Sequence, residues 1–236
     1  MTENLKTLKL QEPTMLHVVK DIANKEIITL KVQAPTMLYF VKDIPNICSL
    51  AGLMSAVLGI YFAVLGSFSY AMIGILWAVL FDWADGIIAR KMKNRTENHK
   101  AFGPQLDSLI DIISFGVFPA VFLLSYGNYN PWFLPGAFLI LATSSIRLSY
   151  FNVFGMVDSK TYKGLALDNN VIILALLFLF ERFLSANIFA IVLYTFLMAL
   201  MVFNLAPIKT PKFTGKWFHV LIGYTVVMTI LYLFLT

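Results

Sequence analysis

Along most of this chain apolar residues come in long blocks rather than at amphipathic spacing, with short polar stretches between them. Seven blocks lie near residues 46–66, 69–91, 104–126, 131–153, 168–184, 187–205 and 216–235. Each is long enough, or nearly so, to cross ~30 Å of hydrocarbon. The fifth is the shortest and ends at Glu181-Arg182. In lipid no water satisfies a free backbone, so every block is predicted to be a helix. The expected fold class is all-α, a polytopic membrane bundle of six to seven transmembrane helices behind a short amphipathic N-terminal segment. The expected organisation is a cytoplasmic or interfacial segment over residues 1–44 and a transmembrane domain over residues 45–236.

Composition agrees with that pattern. Of 236 residues, 59% are hydrophobic and 13% charged, against roughly 25% charged in a soluble domain, and the mean hydropathy is +0.77. The net charge of +5 sits in loops, as topology requires, and does not point to nucleic acid. Lys91, Lys93, Arg95 and Lys100 follow the second block, Lys160 and Lys163 the fourth, and Lys209, Lys212 and Lys216 the sixth. The alternate connections hold almost no Lys or Arg, so the basic loops and the N-terminus are expected on the cytoplasmic side. Residues 1–44 are polar and mixed, and no cleavable signal peptide is expected. The lone Cys48 excludes an internal disulfide and reads as a small helix residue.

The N-terminal segment contains a duplication. Thr7 to Asn24 returns 22 residues later as Thr29 to Asn46. Each unit reads as an extended piece, a Pro and an amphipathic helix, the second with apolar Met37, Leu38, Val41 and Ile44, which predicts an anchor lying along the interface, with a partner-binding role as the alternative.

Charges inside apolar helices are expensive and need a reason. The second block ends Phe81-Asp82-Trp-Ala-Asp85-Gly86-Ile-Ile-Ala89-Arg90, and the third begins Gly103-Pro-Gln-Leu-Asp107-Ser-Leu-Ile-Asp111. Asp82 and Asp85 are three apart, Asp107 and Asp111 four apart, so each pair shares one helix face. If the two faces meet, four carboxylates converge near the membrane boundary. Divalent cations relieve their repulsion, and oxygen ligands suit Mg²⁺, Mn²⁺ or Ca²⁺. Two such ions could clamp a diphosphate. Gly86 and Ala89 leave room for a bulky ligand, and the Arg90 fork suits phosphate. The simpler alternative is that Asp82 and Asp85 pair with Arg90 and Lys93 to finish a helix. Of the eight acidic residues after position 46, however, these four fall in two adjacent stretches at matched depth.

Asp-x2-Asp-Gly-x2-Ala-Arg, a gap, then Gly-x3-Asp-x3-Asp resembles the signature of the CDP-alcohol phosphatidyltransferases. Asp82, Asp85, Gly86, Ala89, Arg90, Gly103, Asp107 and Asp111 fill every specified position. Pro45-Asn46 is also similar, and the likeness extends from about 44 to 170. The gap of twelve residues, 91–102, exceeds the family's usual eight or so. The resemblance implies that Asp82, Asp85 and Asp107 hold two ions of Mg²⁺ or Mn²⁺, with Asp111 also near them and acting as general base. It places Asn46, Asp85, Gly86, Ala89, Arg90 and Gly103 in the CDP site. It further implies a CDP-activated lipid and a small alcohol as substrates, CMP as product, contact with membrane lipids, a homodimer, and a cytoplasmic-facing site in a prokaryotic cell membrane.

Ser114-Phe-Gly-Val-Phe-Pro-Ala120, Ile146-Arg147-Leu-Ser-Tyr-Phe-Asn152 and Tyr162-Lys163-Gly164-Leu165 resemble stretches of the phosphatidylserine synthases, which implies L-serine as acceptor. Tyr150 and Ala166 depart from that pattern, where an Arg and a Pro are usual. Glycerol 3-phosphate, inositol or its phosphate, and choline are the alternatives, as is headgroup transfer from a CDP-alcohol to diacylglycerol. Arg147 either snorkels to the interface or binds a carboxylate or lipid phosphate. Lys163 reads as a topology charge or a second acceptor contact. Asp168, Asn169 and Asn170 are expected to cap the fifth block, with acceptor binding as the alternative. His99 and His219 read as solvated and interfacial. The 21 Phe suit lipid contact, and no Walker loop, dinucleotide fingerprint or zinc motif appears. A cation transporter built on the four Asp would place them near the midplane, not at the helix ends.

Overall fold

The computed structural model describes residue 20 and residues 36–155, 161–211 and 215–235. Most of the N-terminal duplication, together with Lys160 and Lys212, lies outside the described residues. Met1–Tyr39 and Phe40–Thr236 are two compact units, and the second contains the bundle. A short helix α1 (Met37–Val41) comes first. Then follow α2 (Ile44–Val64), α3 (Phe68–Lys91), α4 (Glu97–Asp111), α5 (Phe118–Tyr126) and α6 (Leu134–Phe154). The rest is β1 (Thr161–Lys163), α7 (Leu167–Phe178), α8 (Ala186–Leu205), β2 (Lys209–Pro211) and α9 (Lys216–Leu235).

Six helical stretches are long and apolar enough to cross a membrane: Ile44–Val64, Phe68–Lys91, Glu97–Tyr126, Pro131–Phe154, Ala186–Leu205 and Lys216–Leu235. This is the all-α polytopic bundle expected. The fifth block forms the shorter α7 and a 3₁₀ turn, Glu181–Phe183. Asp168 at its start bonds Trp83, and Glu181 at its end bonds Tyr126, so α7 still makes a passage from one end of the bundle to the other. At ~1.5 Å per residue its 12 residues give only ~18 Å.

α2 and α3 pack most closely. A Cβ on Gly74 would stand 2.8 Å from the Gly59 Cα, so both positions must be bare for the backbones to meet. Ser55 Oγ donates to the Gly74 carbonyl at 2.7 Å across the same seam. That contact fixes α3 against α2 and brings Ser49 opposite Asp85.

Three features depart from the sequence-based expectation. The helix expected from residue 104 begins at Glu97. Thr96 caps it, its side chain accepting from the His99 N–H, and Glu97 pairs with Lys100 at 2.7 Å. Much of the long gap is therefore helix. Second, the same helix changes winding over Ile112–Val117, a π segment in which the Phe118 N–H reaches Ile113 O. Pro119 offers no N–H and its ring crowds the carbonyl four residues back, which accounts for the switch. Third, β1 and β2 pair antiparallel, with Tyr162 opposite Thr210, and form a two-stranded strap between the α6–α7 and α8–α9 connections.

Candidate active site

The two Asp-bearing faces do meet. α3 is antiparallel to α4, and Asp82, Asp85, Asp107 and Asp111 line one cavity of about 240 Å³. Arg90, Arg147, Asp168 and the rings of Trp83, Phe115 and Tyr162 share its wall, and the strap adds Pro211. Asp82, Asp107 and Asp111 each offer a carboxylate oxygen, and these oxygens lie within 4.8 Å of one another. Ionised carboxylates so close repel strongly unless a cation stands among them. Asp111 Oδ1 is buried with no hydrogen-bond partner. A hard-oxygen donor set with an unsatisfied oxygen fits a divalent cation such as Mg²⁺ or Mn²⁺.

Asp85 stands apart from that trio. Its carboxylate accepts a hydrogen bond from Ser49 Oγ on α2. The Ser49 hydroxyl also lies 3.1 Å from the Pro45 carbonyl, but its single proton can serve only one of them at a time. Gly86 sits one turn before Arg90, and a Cβ there would lie 3.5 Å from the guanidinium, so the bare backbone leaves Arg90 room to fold back.

The alternative of helix-finishing ion pairs fails. Among the described residues the ion pairs within 4.0 Å are Arg95–Asp43 and Lys100–Glu97, and neither involves a cavity carboxylate. The first is buried. Arg95 Nη2 lies 2.7 Å from Asp43 Oδ2 and donates to the His99 carbonyl at 3.1 Å, tying the start of α2 to the start of α4. Phe40 stacks on Phe102 beside it, centroids 4.4 Å apart.

Asn46, Ala89, Gly103 and Lys163 are not among the residues lining the cavity. Asn46 is buried and donates to the Phe40 carbonyl at 2.9 Å. A Cβ on Gly103 would stand 2.8 Å from Arg95 Nη2, so its missing side chain makes room for that guanidinium. Lys163 is exposed, 3.3 Å from Tyr150 Oη and 5.1 Å from the ring centroid. Its partner is the tyrosine that departs from the phosphatidylserine synthase pattern.

The expected cap of the fifth block is corrected. Ala166 is the N-cap of α7, and Asp168 lies inside the first turn with its Oδ2 accepting from Trp83 Nε1 at 2.7 Å. Asn170 instead faces Asn204 of α8. With the Asn204 amide oriented to satisfy both, its oxygen accepts from Asn170 Nδ2 at 2.7 Å. Ser49 and Trp83 carry no signal of a site role in the sequence, and Tyr162 stands out only as part of its synthase-like stretch. The three-residue step from Asp82 to Asp85 marks the helix face but not what lies across from it. Burial pushes the Tyr162 hydroxyl up to about 12, helped by nearby Asp168, which keeps it a neutral O–H donor at the cavity wall.

Comparison with known proteins places this geometry. Archaetidylserine synthase of Methanothermobacter thermautotrophicus is 39% identical over 126 residues, 51% of this chain and 51% of that protein, so the match spans about half of that relative's length. CDP-diacylglycerol–serine O-phosphatidyltransferase of Methanocaldococcus jannaschii is 31% identical over 168 residues, 70% of this chain and 74% of that one. Phosphatidylcholine synthase of Rhizobium johnstonii is 26% identical over 173 residues, 71% and 68% respectively. The sequence model of the CDP-alcohol phosphatidyltransferases matches residues 42–230, a stretch holding both Asp-bearing helices and the entire cavity wall, and the chain belongs to that family.

Proposed function

We propose that this protein transfers a phosphatidyl group from a CDP-activated lipid, CDP-diacylglycerol or an archaeal counterpart, to L-serine and releases CMP. The observation that carries the reading is the convergence of four carboxylates from two helices with Arg90 on one cavity. The serine-named relatives support the choice of acceptor.

Asp82, Asp85, Asp107 and Asp111 would hold two divalent ions, Mg²⁺ or Mn²⁺, which when bound would neutralise the diphosphate and the departing phosphate. Arg90 holds the diphosphate from the other side with a planar pair of donors. Gly86 leaves room for Arg90 at the cavity, while Ala89 next to Arg90, Gly103 by admitting Arg95, and Asn46 on α2 support the CDP site from outside its lining. Asp111 accepts the proton of the acceptor hydroxyl. The hydroxyl oxygen then bonds to the phosphorus bearing the lipid, the bond from that phosphorus to the CMP oxygen breaks, and CMP leaves. Ser49 orients the Asp85 carboxylate. Arg147, with Lys163 beyond the cavity, faces the acceptor carboxylate or a lipid phosphate. The cavity opens on the cytoplasmic side of a prokaryotic membrane, and the enzyme works as a homodimer.

Choline is the second reading. Phosphatidylcholine synthases are among the relatives, and the rings of Trp83, Phe115 and Tyr162 could face a quaternary ammonium. CMP release from purified protein with CDP-diacylglycerol and Mn²⁺ separates the two. Dependence on L-serine supports the main reading, dependence on choline replaces it, and silence with every alcohol in folded protein removes both.

A further inference from the structure

Two opposite charges on the cavity wall are left without each other. Arg147 projects from α6 and Asp168 from the first turn of α7, and both line the cavity. Each acts electrostatically on the other. Yet they form no ion pair within 4.0 Å. Arg147 Nε is buried with no hydrogen-bond partner. A buried polar group of this kind costs free energy unless a partner completes it. Asp168 is not free to swing across, because Trp83 Nε1 holds its Oδ2 at 2.7 Å. Trp83 lies between Asp82 and Asp85 in sequence, so the residue that fixes Asp168 is built into the metal-binding turn itself. Asp168 is close enough to act on both Asp82 and Asp111. The separated pair therefore adjoins the carboxylate that receives the acceptor proton.

Resting on the transfer reading above, we infer that Arg147 and Asp168 form a zwitterion pocket: Arg147 takes the carboxylate of an amino-acid acceptor, and Asp168, oriented by Trp83, takes its ammonium group. A small molecule bearing both charges completes the two groups at once and leaves its hydroxyl toward Asp111. An acceptor with only one charge leaves one of them unpaired in a partly desolvated wall, which is the physical basis of the selection. Asp168 is thus a specificity residue rather than a helix cap.

Three acceptors test this in full-length protein in detergent, with CDP-diacylglycerol and Mn²⁺. L-serine carries both charges, ethanolamine lacks the carboxylate and L-glycerate, of the same configuration as L-serine, lacks the ammonium. Asp168→Asn is expected to lower the serine-to-glycerate preference in kcat/KM by at least about thirtyfold, and Arg147→Gln the serine-to-ethanolamine preference by a similar factor. Trp83→Phe removes the N–H but keeps a ring, and should move selectivity in the same direction as Asp168→Asn by a smaller factor. Equal losses on all three acceptors overturn the inference: with a raised metal requirement they make Asp168 a metal ligand, and with a raised KM for the CDP-lipid they assign Arg147 to a lipid phosphate. Should the wild type release no CMP with any alcohol, the transfer reading fails, and binding of radiolabelled L-serine to wild type and Asp168→Asn then decides the pocket separately. Binding lost in the variant supports it, and binding that is absent from the wild type or unchanged in the variant overturns it.

Discussion

The two ends of the bundle are built from similar helices and finished in opposite ways. At the end where α2 hands over to α3, the last four carbonyls of α2 are all satisfied. Tyr61 O accepts from Leu65 N at 3.1 Å, Phe62 O from Ser67 N at 2.9 Å and Ala63 O from Gly66 N at 3.0 Å. Val64 O accepts from Tyr129 Oη at 3.3 Å. Phe68, Phe122, Tyr126, Phe178 and Phe189 interlock there, with centroids 5.0 to 6.4 Å apart in their touching pairs. The Asp end leaves Asp111 Oδ1 and Arg147 Nε buried without partners. Ser114 and Ser144, a turn deeper on the same helices, do likewise. A protein that satisfies one end so thoroughly has the means to satisfy the other. Buried polar groups without partners cost about 1–3 kcal/mol each. Thr225 Oγ1 on α9 is a fifth, but the two that line the cavity, Asp111 Oδ1 and Arg147 Nε, are the ones that a cation and a substrate would complete.

The largest effects should follow from attacking that unfinished end. Removing divalent cation with a chelator is expected to abolish CMP release, and added Mg²⁺ or Mn²⁺ to restore it. Metal-independent turnover would show that the carboxylate cluster has another purpose and would break the contrast at its base. Asp111→Asn keeps the shape of the side chain but cannot take the acceptor proton. CMP release should fall by about a hundredfold or more, with the unfolding midpoint and CDP-lipid binding largely retained. Undiminished turnover in that variant would move the general base to another residue.

Much of this architecture could be read from the chain because the bilayer makes unusually simple demands. Long apolar blocks must be helices, and acidic residues at three- and four-residue spacing must share a face. The spacing could not show that Asp85 leans on Ser49 of α2, since that contact depends on the glycine seam bringing two backbones together. It also hid the first turns of α4, where Thr96-Glu-Asn-His-Lys reads as loop because a Thr cap and one Glu–Lys pair, rather than apolar residues, hold it. Strands of three residues carry too little pattern to announce the strap, and Asp168 looked like a cap because capping chemistry and site chemistry use the same residues. The π segment is set by Pro119, which was visible, but winding depends on how the neighbouring helices accommodate it.

A middle-sized effect on stability belongs to the junction that carries the site. Arg95 and Asp43 are 8% and 4% exposed in their side chains, so Arg95→Met strands a buried carboxylate and should cost about 3 kcal/mol. Thermal unfolding in detergent measures it. Replacing both partners, Asp43→Leu with Arg95→Met, should recover much of the loss, because no unpaired charge then remains. If the single variant is as stable as the wild type, the ion pair does not hold α4 against α2, and the placement of Asp107 and Asp111 must come from the helix packing alone.

The smallest effects come from one substitution made at both ends. Ser125 Oγ donates to the Ala63 carbonyl, which also accepts from Gly66 N. Ser125→Ala removes one bond and leaves no orphan, so stability should fall by only about 0.5–1 kcal/mol and CMP release should stay within about twofold, a margin of under 0.5 kcal/mol. Ser49→Ala deletes the same hydroxyl, but there the acceptor is the Asp85 carboxylate. That oxygen loses a donor, its orientation toward the cavity loosens, and kcat/KM should fall by about tenfold, the equivalent of about 1.4 kcal/mol. Its thermal stability should change no more than that of Ser125→Ala, since the removed bond is a single one in each case. The matched pair isolates the contrast: one chemical change, read as stability at the finished end and as activity at the unfinished one. Equal activity in the two variants would mean that Asp85 is held without Ser49, and that the asymmetry between the ends is one of packing rather than of function.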